Sequence, residues 1–402
     1  MAQLALYGGS PTRTEAWPRW PQWDSSNQEK IHSALQSTTW GGYSPLVEEF
    51  ERDFAKAHQA KHCIAVSNGT VSLMAALKVL GIGPGDEVIV PAYTFVATAS
   101  MVSFLGATPV FVDIDKKDFN ISIDRIREAI SDKTRAVIPV HFAGQPASME
   151  ELCELANQNN LSVIEDCAHA TLASRSGRSV GTFGDFGSFS FQERKNLTCG
   201  EGGALITNDD DLAASLWSFV NQGRRSSEQL WYGHESIGTN LRITAVQAAI
   251  LQGQMTKLAG EQKKRQESIS YLNQCLSESG CVDVLPVLRE TTAHGSHIYV
   301  MKWNFDENYP VKKKKIIHAL RAEGLDCTHG YQKPLYHQAC FENQKIQVMD
   351  CPVTEEIVQR TVCLPHPLLL SDKNGLEQAV EIVLKVHKNM EEIRTHQKNK
   401  QK

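Results

Sequence analysis

Ser188–Thr207, SFSFQERKNLTCGEGGALIT, surrounds a single lysine, Lys195, with glycine, serine and threonine. Lysines on a solvated helix face sit among other charges and good helix formers. Lys195 instead follows a strand-like run, GSFSF at 187–191, and precedes GEGG at 200–203. Those glycines let the backbone approach a neighbour closely or adopt positive φ. Free lysine has a pKa of ~10.4, so it becomes a nucleophile only where its site lowers that value or where it is already held as an imine. A lysine in this setting is placed for chemistry rather than for solubility.

Upstream of it, CIAV (63–66), EVIV (87–90), PVFV (109–112), AVIPV (136–140) and SVIED (162–166) read as short strands. Between them TVSLMAALKVL (70–80), TFVATASMVSFL (94–105) and SMEELCELANQNN (148–160) carry apolar residues at helical spacing. Each is long enough to cross back over a sheet, so the alternation predicts a doubly wound α/β domain with a mostly parallel sheet. A long helical stretch follows, from about Ala245 to Ser277, turning strongly charged at AGEQKKRQES. The domain boundary is placed within it, giving 1–257 as N-terminal segment and large domain and 258–402 as a smaller C-terminal α/β domain. The final RTHQKNKQK lacks apolar residues and is expected to fray.

A formal charge of −5 gives no overall field for nucleic acid or an anionic membrane. The run VKKKKIIHAL opens an amphipathic helix and reads as a solvated face. Ten cysteines without a C-x-x-C pair suggest reduced thiols rather than a disulfide framework or structural zinc. The N-terminus has neither a basic start nor an apolar run of signal-peptide length, and no segment reaches spanning length. The expectation is a cytoplasmic protein with no nucleic-acid or membrane partner.

Three places could carry chemistry with Lys195. VSNGTVSLMAAL sets Ser67, Asn68, Gly69 and Thr70 where a strand gives way to a helix. There free N–H groups and the helix dipole suit a phosphate, although plain N-capping by Asn68 or Thr70 is equally compatible. VIEDCAHA ends a strand in an acid pair, and ligands of open α/β sheets bind at such ends, which exposes Asp166 to the crevice. A helix cap or a simple Asp166–His169 pair would look the same in sequence. A metal held by His141, His169 and Asp166 is weighed too, but their spacing fits no familiar ligand motif. The order phosphate seat, strand-end aspartate, lysine supplies anchors for the phosphate, ring nitrogen and aldehyde of pyridoxal 5'-phosphate.

VSNGTVSLMAAL, GDEVIVPAYTFVATA, VIEDCAHA, FSFQERKNLTCGEGG and IGTNLRITAVQAA, in this order, resemble the DegT/DnrJ/EryC1/StrS aminotransferases, which act on keto sugars and keto cyclitols. The opening LYGGSPTR and SFQERKNLTCGEGG are most similar to the glutamine:scyllo-inosose aminotransferase branch. The resemblance implies an aspartate aminotransferase-like fold, a fold type I pyridoxal-phosphate enzyme whose large domain holds a mostly parallel seven-stranded sheet. It implies that Lys195 is the Schiff-base lysine and general acid/base and that Asp166 partners the pyridine nitrogen. Gly69, Thr70 and Ser190 match positions that bind the cofactor phosphate, and His169 falls within the cofactor-binding set. Phe95 matches the aromatic that stacks on the ring, with Tyr93 as its rival and core packing as its plainer alternative. Asn240, in GTNLRIT, matches an asparagine that reaches the neighbouring subunit's cofactor, implying a homodimer with composite sites. Arg242 is a candidate for a substrate carboxylate or for structural pairing. Tyr331 and His366 are candidate substrate residues. Arg194 departs from the family, where a smaller residue usually precedes the lysine.

The implied activity is transfer of an amino group from L-glutamine or L-glutamate to a keto cyclitol or keto sugar by a ping-pong mechanism. A sugar dehydratase on the same scaffold is the enzymatic alternative, although those relatives carry histidine in place of the lysine. A regulatory protein with a retained pyridoxal-phosphate site is the other.

Overall fold

In the computed structural model residues 3–224, 233–304 and 311–399 are described. Seven strands build the main sheet: β1 (His62–Val66), β2 (Glu87–Pro91), β3 (Thr108–Val112), β4 (Thr134–Val137), β5 (Ser162–Asp166), β6 (Phe186–Ser190) and β7 (Gly203–Thr207). Their spatial order is β1-β7-β6-β5-β4-β2-β3, and Gln347–Val348 adds a short eighth strand beside β3. Pairing from β6 through β3 is parallel, while β7 runs antiparallel to both β6 and β1. The sheet is therefore mostly parallel with eight strands rather than the seven expected. The eighth is a two-residue edge supplied by the C-terminal part of the chain, too short to leave a period-two pattern.

Alternation along each strand sends side chains to opposite faces. Ile64, Val66, Val88, Val90 and Leu205 enter one apolar cluster, which includes Leu73 and Leu77 of helix Gly69–Val79. Cys63, Ala65, Ala204 and Ile206 face the other way, against Phe50 and Phe54 of helix Pro45–Ala57. Edge strand β1 keeps its outer Ala65 N–H satisfied by the Glu51 carboxylate at 2.7 Å, so the sheet edge is covered.

Helix Ala245–Ser277 starts with a capping box at Thr244 and Gln247 and runs unbroken through the expected boundary. Its Ala248, Leu251 and Leu258 pack beneath the large sheet, while Ile269, Leu272 and Leu276 belong to a second core. That core surrounds a three-stranded antiparallel sheet of Val282–Val284, Ile298–Trp303 and Thr361–Pro365, covered by helices Lys313–Ala322 and Lys373–Lys388. Leu4 of the N-terminal segment is fully buried in it.

Two sequence readings change. The lysine run is not uniformly solvated, because Lys313 Nζ turns inward and donates to the His329 carbonyl at 2.9 Å and to the Val358 carbonyl. The C-terminal stretch expected to fray forms helix Met390–Asn399, with 400–402 outside the described residues. Among the described residues no helix is long and apolar enough to cross a membrane.

Candidate active site

Because β7 is antiparallel to both β1 and β6, β1 runs the same way as β5 and β6, and their carboxyl ends share one edge. Ser67 to Thr70, Asp166 and Ser190 meet that edge from three separate strands, and Lys195 follows five residues beyond β6.

Helix Gly69–Val79 begins there with Asn68 as N-cap, its side chain accepting from the Val71 N–H at 3.0 Å. The capping reading of Asn68 is thus correct, yet it satisfies only one of the first-turn donors. The N–H groups of Gly69 and Thr70 have no acceptor within the helix. Gly69 is needed for contact, since a Cβ there would lie 2.6 Å from Ser190 Cβ. The approach puts the Ser190 side chain against the helix N-terminus. Gly203 serves the same packing, where a Cβ would come within 2.6 Å of the Asn68 carbonyl carbon.

Asp166 is buried and both of its oxygens are held. Oδ1 accepts from the Ala168 N–H at 3.1 Å and Oδ2 from the Thr98 hydroxyl at 2.9 Å. Thr98 lies 3.0 Å from the Thr94 hydroxyl, so a two-threonine relay orients the carboxylate. Burial pushes the Asp166 carboxyl up; the Ala168 and Thr98 hydrogen bonds and the charge of Lys195 act against it. Lys195 is half-buried, and loss of water around its ammonium pulls the pKa down to about 8, with the Asp166 charge opposing that fall. At pH 7.5 that leaves a substantial fraction of free amine, where the ordinary value of 10.5 would leave almost none. Sequence reasoning missed Thr98; it lies in the first turn of helix Ala97–Phe104, while its hydroxyl partner Thr94 lies three residues before that helix.

His169 is half-buried beside them, its ring 4.3 Å from that of His297 and its buried Nδ1 without a hydrogen-bond partner. Burial and the Lys195 charge push its imidazole well below the ordinary value, so it stands neutral. His141 does not join a metal set with His169 and Asp166. Its Nδ1 accepts from the Ala147 N–H at 3.0 Å, and Nε2 lies 3.0 Å from Glu165 Oε2. His141, Glu165 and Cys167 do cluster. With one imidazole nitrogen accepting an N–H and the other donating to Glu165, however, no lone pair is left for a metal.

The two aromatic candidates separate clearly. Tyr93 is 1% exposed, with its hydroxyl 3.1 Å from Thr361 Oγ1, and so belongs to the core. Phe95 is 57% exposed and precedes helix Ala97–Phe104 rather than packing under it, which removes the core-packing reading. Tyr331 packs edge-to-face on Tyr93 at 5.1 Å, and burial, with the Asp166 charge next, raises its phenol. Arg242 is engaged structurally, its guanidinium 4.9 Å from the Tyr43 ring centroid and 3.3 Å from Asn221 Oδ1. Asn240 is exposed and its Oδ1 accepts from the Arg242 N–H at 3.3 Å. Arg194 points outward, its side chain 83% exposed and 3.8 Å from Glu193. His366 is buried and donates from Nε2 to the Arg194 carbonyl at 3.1 Å.

These donors suit a phosphorylated pyridine aldehyde. A neutral histidine nitrogen is left unpartnered in the field of Lys195, a carboxylate is held by two donors, the lysine's pKa is lowered to about 8, and an open helix terminus meets a serine. Fold and site together define an aspartate aminotransferase-like enzyme of the transaminase class.

Within that class the chain belongs to the DegT/DnrJ/EryC1/StrS aminotransferase family, which residues 21–383 match. It is 34% identical to the L-glutamine:2-deoxy-scyllo-inosose aminotransferase of Streptomyces kanamyceticus, over 96% of this chain and 97% of that protein. With the GDP-perosamine synthase of Caulobacter vibrioides it shares 35% identity over 79% of this chain and 83% of that one. Among solved structures, the aminotransferase from Psychrobacter cryohalolentis aligns with TM-score 0.87 and 30% identity, covering 93% of this chain and 99% of that one.

Proposed function

We propose that the protein uses pyridoxal 5'-phosphate to move an amino group from L-glutamine or L-glutamate to the ketone of a cyclitol, in preference to a nucleotide-linked sugar. The observation that carries the cofactor assignment is Lys195 and Asp166 within each other's field at the carboxyl edge of the sheet. Gly69, Thr70 and Ser190 would hold the phosphate, Asp166 the ring nitrogen, Phe95 a ring face and Lys195 the aldehyde, with His169 beside the ring. When bound, the cofactor supplies an electrophilic carbon for amines and a ring that takes up the electrons of a breaking carbon–hydrogen bond. Asp166, kept oriented by Thr98 and Ala168, holds a proton on the ring nitrogen. Lys195 Nζ, with a pKa near neutrality, takes a proton from one carbon and returns it to another. The retained lysine favours amino transfer over the dehydratase alternative. The cyclitol preference is supported by the near full-length similarity to the Streptomyces kanamyceticus aminotransferase.

One lysine and one cofactor serving two substrates in turn implies ping-pong kinetics. Glutamine or glutamate should bleach the visible band of the loaded protein, and a keto cyclitol should restore it faster than nucleotide-linked keto sugars. Restoration by simple α-keto acids alone would remove the proposed acceptor class.

The site is proposed to be completed across a homodimer by Asn240, whose side chain is exposed on its own subunit. Lys195→Ala and Asn240→Ala chains, each inactive, should regain about a quarter of parental activity on random mixing, because half of the dimers carry one site free of both changes. Mixtures as inactive as the two variants alone would place Asn240 in its own subunit's site, and a fully active Asn240→Ala chain would place it outside the chemistry.

A further inference from the structure

The segment carrying Lys195 has no regular secondary structure, so its carbonyls depend on partners from elsewhere. Two local bonds to Gln192 help fix it, from the Lys195 N–H to the carbonyl at 2.8 Å and from the Arg194 N–H to Oε1 at 2.9 Å. Other bonds come from outside the large sheet. Trp20 Nε1 donates to the Lys195 carbonyl at 3.1 Å, and His366 Nε2 to the Arg194 carbonyl at 3.1 Å. On the following residue, Asn196 Nδ2 donates to the Gly295 carbonyl at 2.9 Å, and Asn196 Oδ1 accepts from His297 Nδ1, also at 2.9 Å.

Resting on the reading of Lys195 as the reacting amine, we propose that Trp20 and His366 are positioning residues that clamp the Lys195 backbone and thereby aim its amine. The two rings also brace each other, edge-to-face at 4.7 Å. His366 continues to His297 at 5.7 Å, and His297 to His169 at 4.3 Å. One row of rings thus runs from the N-terminal segment to the neighbourhood of Asp166. The bond to a carbonyl requires His366 to carry its proton on Nε2, and its buried Nδ1 is unpartnered, which selects a single neutral tautomer. Trp20 is itself tethered. The chain just before it is bound by Glu323, which accepts from the Ala5 and Thr12 N–H groups at 2.8 and 3.0 Å and pairs with Lys385 at 2.7 Å. Trp17 Nε1 adds a bond to the Gly324 carbonyl at 2.8 Å. The N-terminal segment is thereby a strap that carries the placement of the C-terminal core to the lysine. A long, flexible lysine arm gains little from a rigid sheet if its own Cα can shift; the two donors remove that freedom.

The test labels the cofactor-free full-length protein with trinitrobenzenesulfonate across a pH series and follows the Lys195 peptide by mass spectrometry. Asp166, His169, His297 and His366 are the titratable groups facing that amine. Parent, Trp20→Phe, His366→Leu and His366→Gln are compared, the glutamine keeping an N–H donor at the reach of Nε2. In the parent, half-maximal labelling should fall near pH 8. In Trp20→Phe and His366→Leu it should move upward as the amine gains water. In the loaded enzymes kcat should drop ~10-fold with the donor KM within about two-fold, since misplacement of a reacting group costs rate rather than binding. His366→Gln should recover most of both. Parental labelling with no low midpoint would remove the reading of Lys195 itself. A parent that titrates as described, with variants matching it in midpoint and kcat or differing only in melting temperature, would overturn the clamp.

Discussion

Lys195→Ala should lower turnover by ~10⁴-fold or more, because in the roles proposed for it one substitution removes both the covalent anchor and the proton carrier. The fold should survive, since the side chain is half-buried and the irregular stretch around it is held by backbone bonds that alanine retains. Cofactor should still bind, as the first-turn N–H groups, Ser190 and Asp166 are untouched. The checks are spectroscopic as well as kinetic. Borohydride treatment of the loaded parent should fix the reduced cofactor on the Lys195 peptide and abolish the visible band, and the variant should give no such adduct. The pH dependence follows from the lowered amine. Free Nζ increases as pH rises through about 8, so steps limited by that amine should speed up over this range. A fully active Lys195→Ala protein, or a borohydride adduct on another lysine, would end the assignment.

How much of this was readable beforehand differs by residue, and the physical reason is the range of the interaction. Strands β1 to β5 announce themselves as short, mostly apolar runs, and β6 through the alternation of phenylalanine with glycine and serine in GSFSF. β7 is not among the strands read from the sequence, because GALIT opens on the last glycine of GEGG, although Leu205 and Ile206 alternate between the two faces. Lys195 and Asp166 were visible through local context: glycines around one, a strand end before the other. Thr98, Trp20 and the neutral state of His169 were not, because each depends on a neighbour remote in sequence. Trp20 meets Lys195 across 175 positions, and no periodicity encodes such a contact. Phe95 shows the converse. Helical spacing favoured a core position, whereas the helix begins at Ala97 and leaves the ring exposed.

Asp166→Asn should cost ~10²- to 10³-fold in kcat while leaving cofactor binding largely intact, the scale seen when a preorganised electrostatic partner is lost. The shape is conserved. Asparagine Oδ1 can still accept from the Ala168 N–H, and the Thr98 hydroxyl, facing an amide N–H₂ in place of an oxygen, can turn to donate toward Thr94. Only the charge goes, and its loss acts on two groups in opposite senses. The Asp166 charge holds the Lys195 pKa up against burial, so removing it should move the Lys195 labelling midpoint in cofactor-free protein below about 8 and increase the free amine. If the carboxylate served chiefly to tune the lysine, turnover near neutral pH would hold or rise. If it serves to keep a proton on the ring nitrogen, turnover collapses although the lysine is better deprotonated than before. Measuring both quantities in the same variant therefore separates the roles: a lower midpoint with lost turnover assigns Asp166 to the cofactor ring, and a lower midpoint with turnover retained assigns it to Lys195.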